Sequence, residues 1–356
     1  MSLTQIKTSN IDNSGSGLNF RNRIINGDMR IDQRNAGASI TPIGGTYTLD
    51  RFRYFASQAD KVSLQQVTDA PSGFSYSAKI TVLSSYNLSG NEQFFFGTTF
   101  EANNLDDFGF GTSNAKATVL SFWVKSSVIG KYSISWVDTP NAYSFIGTYV
   151  INSANTWEYK TITIPPATGG TWGAGNSRHS FIQFMLGNSG SYDGTAGTWQ
   201  SANVRGTNDS IDFVSQSNGS TFQVTGVQLE AGSVATPFEH RQYGTELALC
   251  QRYCYQIDAS TNTVGGIAVG RYGSSTQTDV DLRIPLMRNS PTVTVSSASH
   301  FTVNTPAIAN AATGATVQSV SNQNIRIAFD HSSDTFHARG IRFNNSSGYI
   351  RASAEL

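Results

Sequence analysis

From Phe20 to the C-terminus, apolar and polar residues alternate in short runs, and clusters of Gly, Asn, Ser and Asp separate those runs. This period of two constrains the fold most, because successive side chains of a strand point to opposite sides of a sheet. In Thr118 to Ser126, Leu120, Phe122 and Val124 share one face, while Ser121, Trp123 and Lys125 share the other. Tyr132, Ile134 and Trp136 repeat the pattern. Thr161 to Ile164, Phe181 to Leu186, Ile211 to Val214 and Phe222 to Leu229 continue the series. The spacing predicts an all-β sandwich or barrel. One short helix is expected at Thr245 to Tyr253, where Leu247, Leu249 and Cys250 form a stripe just after Gly244.

Past that helix, Tyr253 to Ile257, Val264 to Val269, Val280 to Ile284, Thr292 to Val295, Ile325 to Phe329, Ile341 to Phe343 and Tyr349 to Ala352 form a second strand series. A chain of 356 residues, at ~100 to 200 residues per domain, accommodates both series as separate units. The expected organisation is an arm over 1–20, a β-sandwich over 21–243, a helical joint over 244–256 and a smaller β domain over 257–356. The arm is read from Ser9 to Gly17, a stretch with few large apolar groups.

Charged residues are only 13% of the chain, so its surface is polar but mostly uncharged. Lys plus Arg and Asp plus Glu are equal at 24 each, which removes the basic footprint of a nucleic-acid binder. No apolar run approaches the ~18 residues of a membrane span, and the N-terminus lacks a signal-peptide pattern. Membrane insertion is therefore not expected. Cys250 and Cys254 argue against a disulfide framework and suit synthesis in a reducing cytoplasm. Without a histidine pair nearby to complete a zinc site, they are read as buried free thiols.

Several segments resemble the tail-fibre and related structural proteins of tailed phages, including marine ones. They are Asn26-Gly27-Asp28-Met29 with Gln33-Arg34, Tyr47-Thr48-Leu49-Asp50-Arg51-Phe52, Gly111-Thr112 and Leu120-Ser121-Phe122-Trp123-Val124-Lys125-Ser126. Val227-Gln228-Leu229-Glu230-Ala231-Gly232, Thr236-Pro237-Phe238-Glu239 and Cys250-Gln251-Arg252-Tyr253 follow in order. Later matches are Met287-Arg288-Asn289-Ser290-Pro291-Thr292-Val293-Thr294 and Ala354-Glu355-Leu356. The segments are also similar to jelly-roll carbohydrate-binding modules. The resemblance implies a jelly-roll first domain and a virion fibre, most often a homotrimer, whose arm docks on a tail or capsid protein. It implies non-covalent, multivalent attachment to a host-surface glycan or other receptor. A purely structural head fibre or tail appendage is the alternative.

Sugar-binding sandwiches set aromatic rings against the apolar face of a pyranose and surround them with amides and hydroxyls. The candidate contact set is Trp172, Tyr192 and Trp199 from the Gly-rich loops, with Asn176, Asn188 and Gln200; Tyr143 and Trp157 sit near strand ends. The bland alternative is that these rings cap the sandwich or meet a neighbouring subunit. Trp123 and Trp136, being in strands, are expected to pack. The jelly-roll likeness also implies a structural calcium held by Asn26, Asp28, Asp50 and Glu230, although Asp50 and Glu230 have arginines to pair with instead. His331 and His337 are a weaker metal candidate.

Catalysis has few supports. The candidate carboxylate pairs for glycan hydrolysis are Asp106 with Asp107, Asp209 with Asp212, and Asp279 with Asp281. No nucleophile elbow, zinc-protease helix or phosphate loop is present, and no β-helix repeat runs through the chain. A non-enzymatic protein is expected.

Overall fold

The computed structural model describes residues 20–259, 266–304, 309–332 and 339–356. All of the arm except Phe20, the start of the strand expected at Val264, and His337 lie outside the described residues. The chain divides into two compact units, Met1–Gln242 with Leu356, and Tyr243–Glu355.

The first unit is a jelly-roll sandwich. Its strands are β1 (Thr46–Leu49), β2 (Phe52–Ala56), β3 (Val62–Val67), β4 (Ser77–Val82), β5 (Gln93–Glu101) and β6 (Thr118–Ser126). They continue with β7 (Gly130–Asp138), β8 (Ser144–Ile151), β9 (Glu158–Ile164), β10 (Arg178–Asn188), β11 (Trp199–Gln200) and β12 (Thr221–Ala231). One sheet has the order β3-β4-β12-β6-β9 and the other β1-β2-β5-β10-β7-β8-β11. Every neighbouring pair is antiparallel. Chain-distant strands lie side by side, β12 between β4 and β6 and β10 between β5 and β7, so the sheets are tied by long connections.

Alternation decides what fills the space between the sheets. Leu120, Phe122 and Val124 of β6 face Ile134 and Trp136 of β7 and Ile182 and Phe184 of β10, all fully buried. Phe122 sits edge-on to Phe184 and Tyr149 at 4.9 and 5.0 Å, the geometry that aromatic quadrupoles prefer. Burial of each such ring contributes about 1.5–3 kcal/mol.

Ile211 to Val214 departs from the expected strand. Phe213–Ser215 is a 3₁₀ turn in which Phe213 and Val214 are both buried. Two consecutive buried side chains do not suit a strand with one covered face, and a four-residue apolar run is too short for periodicity to separate the two outcomes.

The second unit opens with helix α1 (Tyr243–Gln251), shifted by two residues from the span read in the sequence. Cys250 and Cys254 are buried and free. A three-stranded sheet joins Cys254–Asp258, Tyr349–Ser353 and Thr292–Val295, and a seven-stranded sheet holds the remaining strands. Its separate core centres on Phe301, which contacts Phe329 and Phe343 at 5.0 and 5.2 Å.

Candidate functional site

A groove of about 500 Å³ lies on the outer face of the five-stranded sheet. Its floor follows from the register of β6: with Leu120, Phe122 and Val124 turned inward, Trp123 must face outward. Tyr159 of β9 is its cross-strand partner, 44% exposed, with ring centroids 5.4 Å apart and the planes at 50°. Phe74, Phe238 and His240 form the wall; Phe74 meets Phe238 edge-on at 5.0 Å, and His240 lies 4.9 Å from Phe238. Between floor and wall, Gly226 adopts φ +60°, and a Cβ there would stand 2.7 Å from the Phe74 ring and 3.1 Å from Trp123. The bulge in the β12–β6 register at this point makes room for the wall.

Polar groups flank the rings. One strand rung away, Lys125 lies 5.2 Å over the Trp157 ring and pairs with Asp69. Asp69 also accepts from Trp157 Nε1 at 3.3 Å and Gln223 Nε2 at 3.1 Å. Partial burial works to raise the Asp69 carboxyl, but hydrogen bonds from Lys125, Gln223 and Trp157 together hold it below the usual carboxylate range. The site thus pairs apolar ring surface with a pre-oriented row of donors and acceptors.

Of the residues singled out in the loops, Trp172 and Trp199 come together, edge-on at 5.7 Å. Trp172 and Trp199 plug one end of the sandwich: Trp199 stacks parallel on Tyr143 at 5.1 Å, and Trp172 contacts Phe110 and His179 at 5.0 Å. Their indole N–H groups donate to Gly169 O at 2.9 Å and Pro165 O at 2.8 Å, which fixes both half-buried rings in orientation. Asn188 is only 7% exposed and donates to Asp193 at 2.6 Å. Gln200 ties back to Thr195, and exposed Asn176 accepts from Asn103. Tyr192, half-buried, ends a 3₁₀ turn beside Arg205, whose amide donates to its carbonyl. Trp136 is fully buried as expected, whereas half-buried Trp123 lines the groove. The outward register of Trp123 was the signal for this site; what it lacked was a reason to rank a strand residue above loop residues.

The four oxygen-bearing residues expected to hold calcium serve the chain itself. Asn26 bridges the carbonyls of Ile31 and Asp50 with its Nδ2 and accepts the Ile31 amide. Fully buried Asp50 accepts from Gln33 N at 2.7 Å and Gln33 Nε2 at 2.8 Å. Glu230 accepts from Thr236 N and Oγ1 at 2.9 and 2.7 Å and pairs with Arg21, while Asp28 pairs with Arg30. Oxygens already filled by N–H and O–H donors are poor calcium ligands, and among the described residues no group of three or more His, Cys, Asp and Glu is placed to hold a metal. His331 is buried and hydrogen-bonded to Thr278 and Arg339.

In each carboxylate pair at least one member is held by a cation. Asp209 is paired with Lys131 at 2.7 Å, Asp107 with Arg23, Asp281 with Arg326 and Asp279 with Arg271. Burial pushes Asp212 up, against the amide of Asn188 that it accepts. Among the described residues no helix is long and apolar enough to cross a membrane.

No family model and no curated protein sequence matches the chain. Solved structures similar in fold include the enzymatically active domain of bacteriophage CBA120 tailspike protein 4, at 15% identity and a TM-score of 0.35 over 60% of this chain. The chain spans 22% of that domain's length. A family 11 carbohydrate-binding module of a Clostridium thermocellum cellulosomal cellulase matches at 14% identity and a TM-score of 0.29, over 58% of this chain and 100% of the module. A family 22 xylan-binding domain from Paenibacillus barcinonensis matches at 13% identity and 0.29, over 51% of this chain and 92% of the domain.

Proposed function

We propose that this chain is a glycan-binding, non-enzymatic fibre protein of a phage particle, and that the groove over Trp123 and Tyr159 is its sugar site. The observation that carries the reading is the pairing of two partly exposed rings on rigid, adjacent strands with a polar row at their side. Rings on strands hold their orientation without an entropy cost at binding, and a pyranose presents C–H groups to rings and hydroxyls to amides and carboxylates. The ordered phage-fibre segments support placement in the virion as a homotrimer, with residues 1–20 docking on a tail or capsid protein. Three copies would convert a weak site into firm attachment.

Glycan-array screening followed by calorimetry tests the site. Trp123→Ala with Tyr159→Ala should weaken binding of an array hit by roughly tenfold or more, at about 1 kcal/mol per lost ring. Trp172→Phe should leave it unchanged. Undiminished binding by the double variant would refute the groove. Release of new reducing ends from the bound glycan would refute the non-enzymatic reading, and absence of the chain from purified particles by mass spectrometry would refute the virion assignment.

A further inference from the structure

The opposite outer face, on the seven-stranded sheet, carries a different chemistry. In one row across this sheet, Arg53 of β2 stands opposite Gly97 of β5, which stands opposite Gln183 of β10. Gly97 lets the β5 and β10 backbones approach closely, since a Cβ there would stand 2.2 Å from Ile182 O. Phe95 and Phe181 share the face on either side of that row, and Arg53 lies 5.7 Å over the Phe95 ring. The Phe181 ring is flanked by two more guanidiniums, Arg178 at 5.1 Å and Arg205 at 5.5 Å from its centroid. Arg205 arrives from the segment after β11, its amide donating to Tyr192 O at 2.7 Å.

Among the described residues no carboxylate forms an ion pair with these three cations. Arg205 is only 3% exposed, yet its Nε and Nη1 are buried without a hydrogen-bond partner, and Arg178 Nε is buried in the same condition. Arg178 Nη2 reaches the Thr139 carbonyl at 2.6 Å, a neutral acceptor. Asp138 lies within electrostatic range of Arg178 and Arg205 but pairs with neither; its oxygens accept the amides of Ala142, Tyr143 and Thr171 at 2.8–3.0 Å. Burial lowers Arg205 to about 10, which leaves it cationic at neutral pH. An unpaired buried guanidinium is costly and normally reports a missing anionic partner.

We infer that this face is an oxyanion receptor in which Arg53, Arg178 and Arg205, the last two held over the buried Phe181 ring, take the carboxylate of an acidic sugar, with half-buried Tyr192 beside the sugar. Guanidinium forks match carboxylates bidentately, which a row of lysines would not do. Recognition of the anion stands on the arginines alone; that a sugar bears it rests on the glycan reading above. The chain would then hold two sites of different selectivity on opposite faces of one sandwich, a neutral groove and an acidic receptor.

Calorimetry on the full chain with a galacturonate trimer, 3′-sialyllactose, maltotriose and inorganic sulfate tests the assignment. The expected result is binding of at least one acidic sugar that weakens with added salt, falls at least tenfold in Arg205→Gln and in half-exposed Arg53→Gln, and survives Trp123→Ala. Using Arg53→Gln covers the case in which Arg205→Gln does not fold. No acidic sugar binding at millimolar concentration would overturn the inference while leaving the groove reading intact. Sulfate binding as tightly as the sugars would overturn the sugar assignment. Loss of self-association in Arg53→Gln, with no sugar binding by the wild type, would overturn it in favour of a carboxylate from a second copy.

Discussion

His179 shows how one buried side chain sets a pH limit on the plug at the end of the sandwich. Its imidazole stacks on Trp172 at 5.0 Å, and burial lowers it from 6.5 to about 4. A histidine held neutral in the fold but free to protonate when unfolded makes the unfolded state bind more protons between these values. Its contribution is therefore complete above pH 6.5 and is lost as pH falls towards 4, by roughly 3 kcal/mol for a shift of this size. Urea denaturation between pH 4 and 7 should show a smaller loss of stability for His179→Gln than for the wild type. Parallel curves would contradict the assignment. The sequence offered no access to this residue's role, because burial of His179 depends on Trp172 and Phe110 arriving from separate loops.

At the scale of the element, the β12 bulge joins stability to binding. Gly226→Ala places a side chain at φ +60° and against Phe74, whereas Gly219→Ala, at φ +88°, meets nothing within 4 Å. Both should lose about 1–2 kcal/mol in denaturant titrations from backbone strain. Only Gly226→Ala should also weaken glycan binding, since it displaces the groove wall; equal binding by both variants would show that the wall is dispensable. The strands that frame the groove were readable from alternation: β6 matches the expected Thr118 to Ser126, and its outward Trp123 follows from the same pattern. The wall was not readable, because Phe74 and Phe238 are far apart in the chain and come together only when β12 pairs with both β4 and β6.

For the whole molecule, the two cores predict two separable transitions. The first draws on residues of the jelly roll and the second on residues from Tyr255 onward, without shared members among the described residues. Phe122→Ala and Phe301→Ala each remove a fully buried ring, at a cost of about 3–5 kcal/mol. Scanning calorimetry should show each variant lowering one transition and sparing the other; a joint shift would mean that the cores fold as one. Equal numbers of acidic and basic residues gave the chain no net charge, and in the fold many acids and bases pair off, as Asp209 does with Lys131 and Asp281 with Arg326. Against that balanced background, the unpaired arginines of the seven-stranded sheet stand out only once their surroundings are known.

The sequence by itself determined the all-β class, the two strand series and the inward face of the central strands, because a period of two is a local property that each strand states alone. It also placed Trp123 on the face opposite Leu120, Phe122 and Val124, though as a strand residue expected to pack. Only the tertiary structure decided how the aromatic residues are grouped: Trp172 and Trp199 pack on each other and turn their N–H groups back to Gly169 and Pro165, while Trp123 and Tyr159 pair across two strands and line a groove. The same holds for Asp50, Glu230 and Arg205. Whether a charged side chain finds a partner depends on residues distant in sequence, and no local pattern records that.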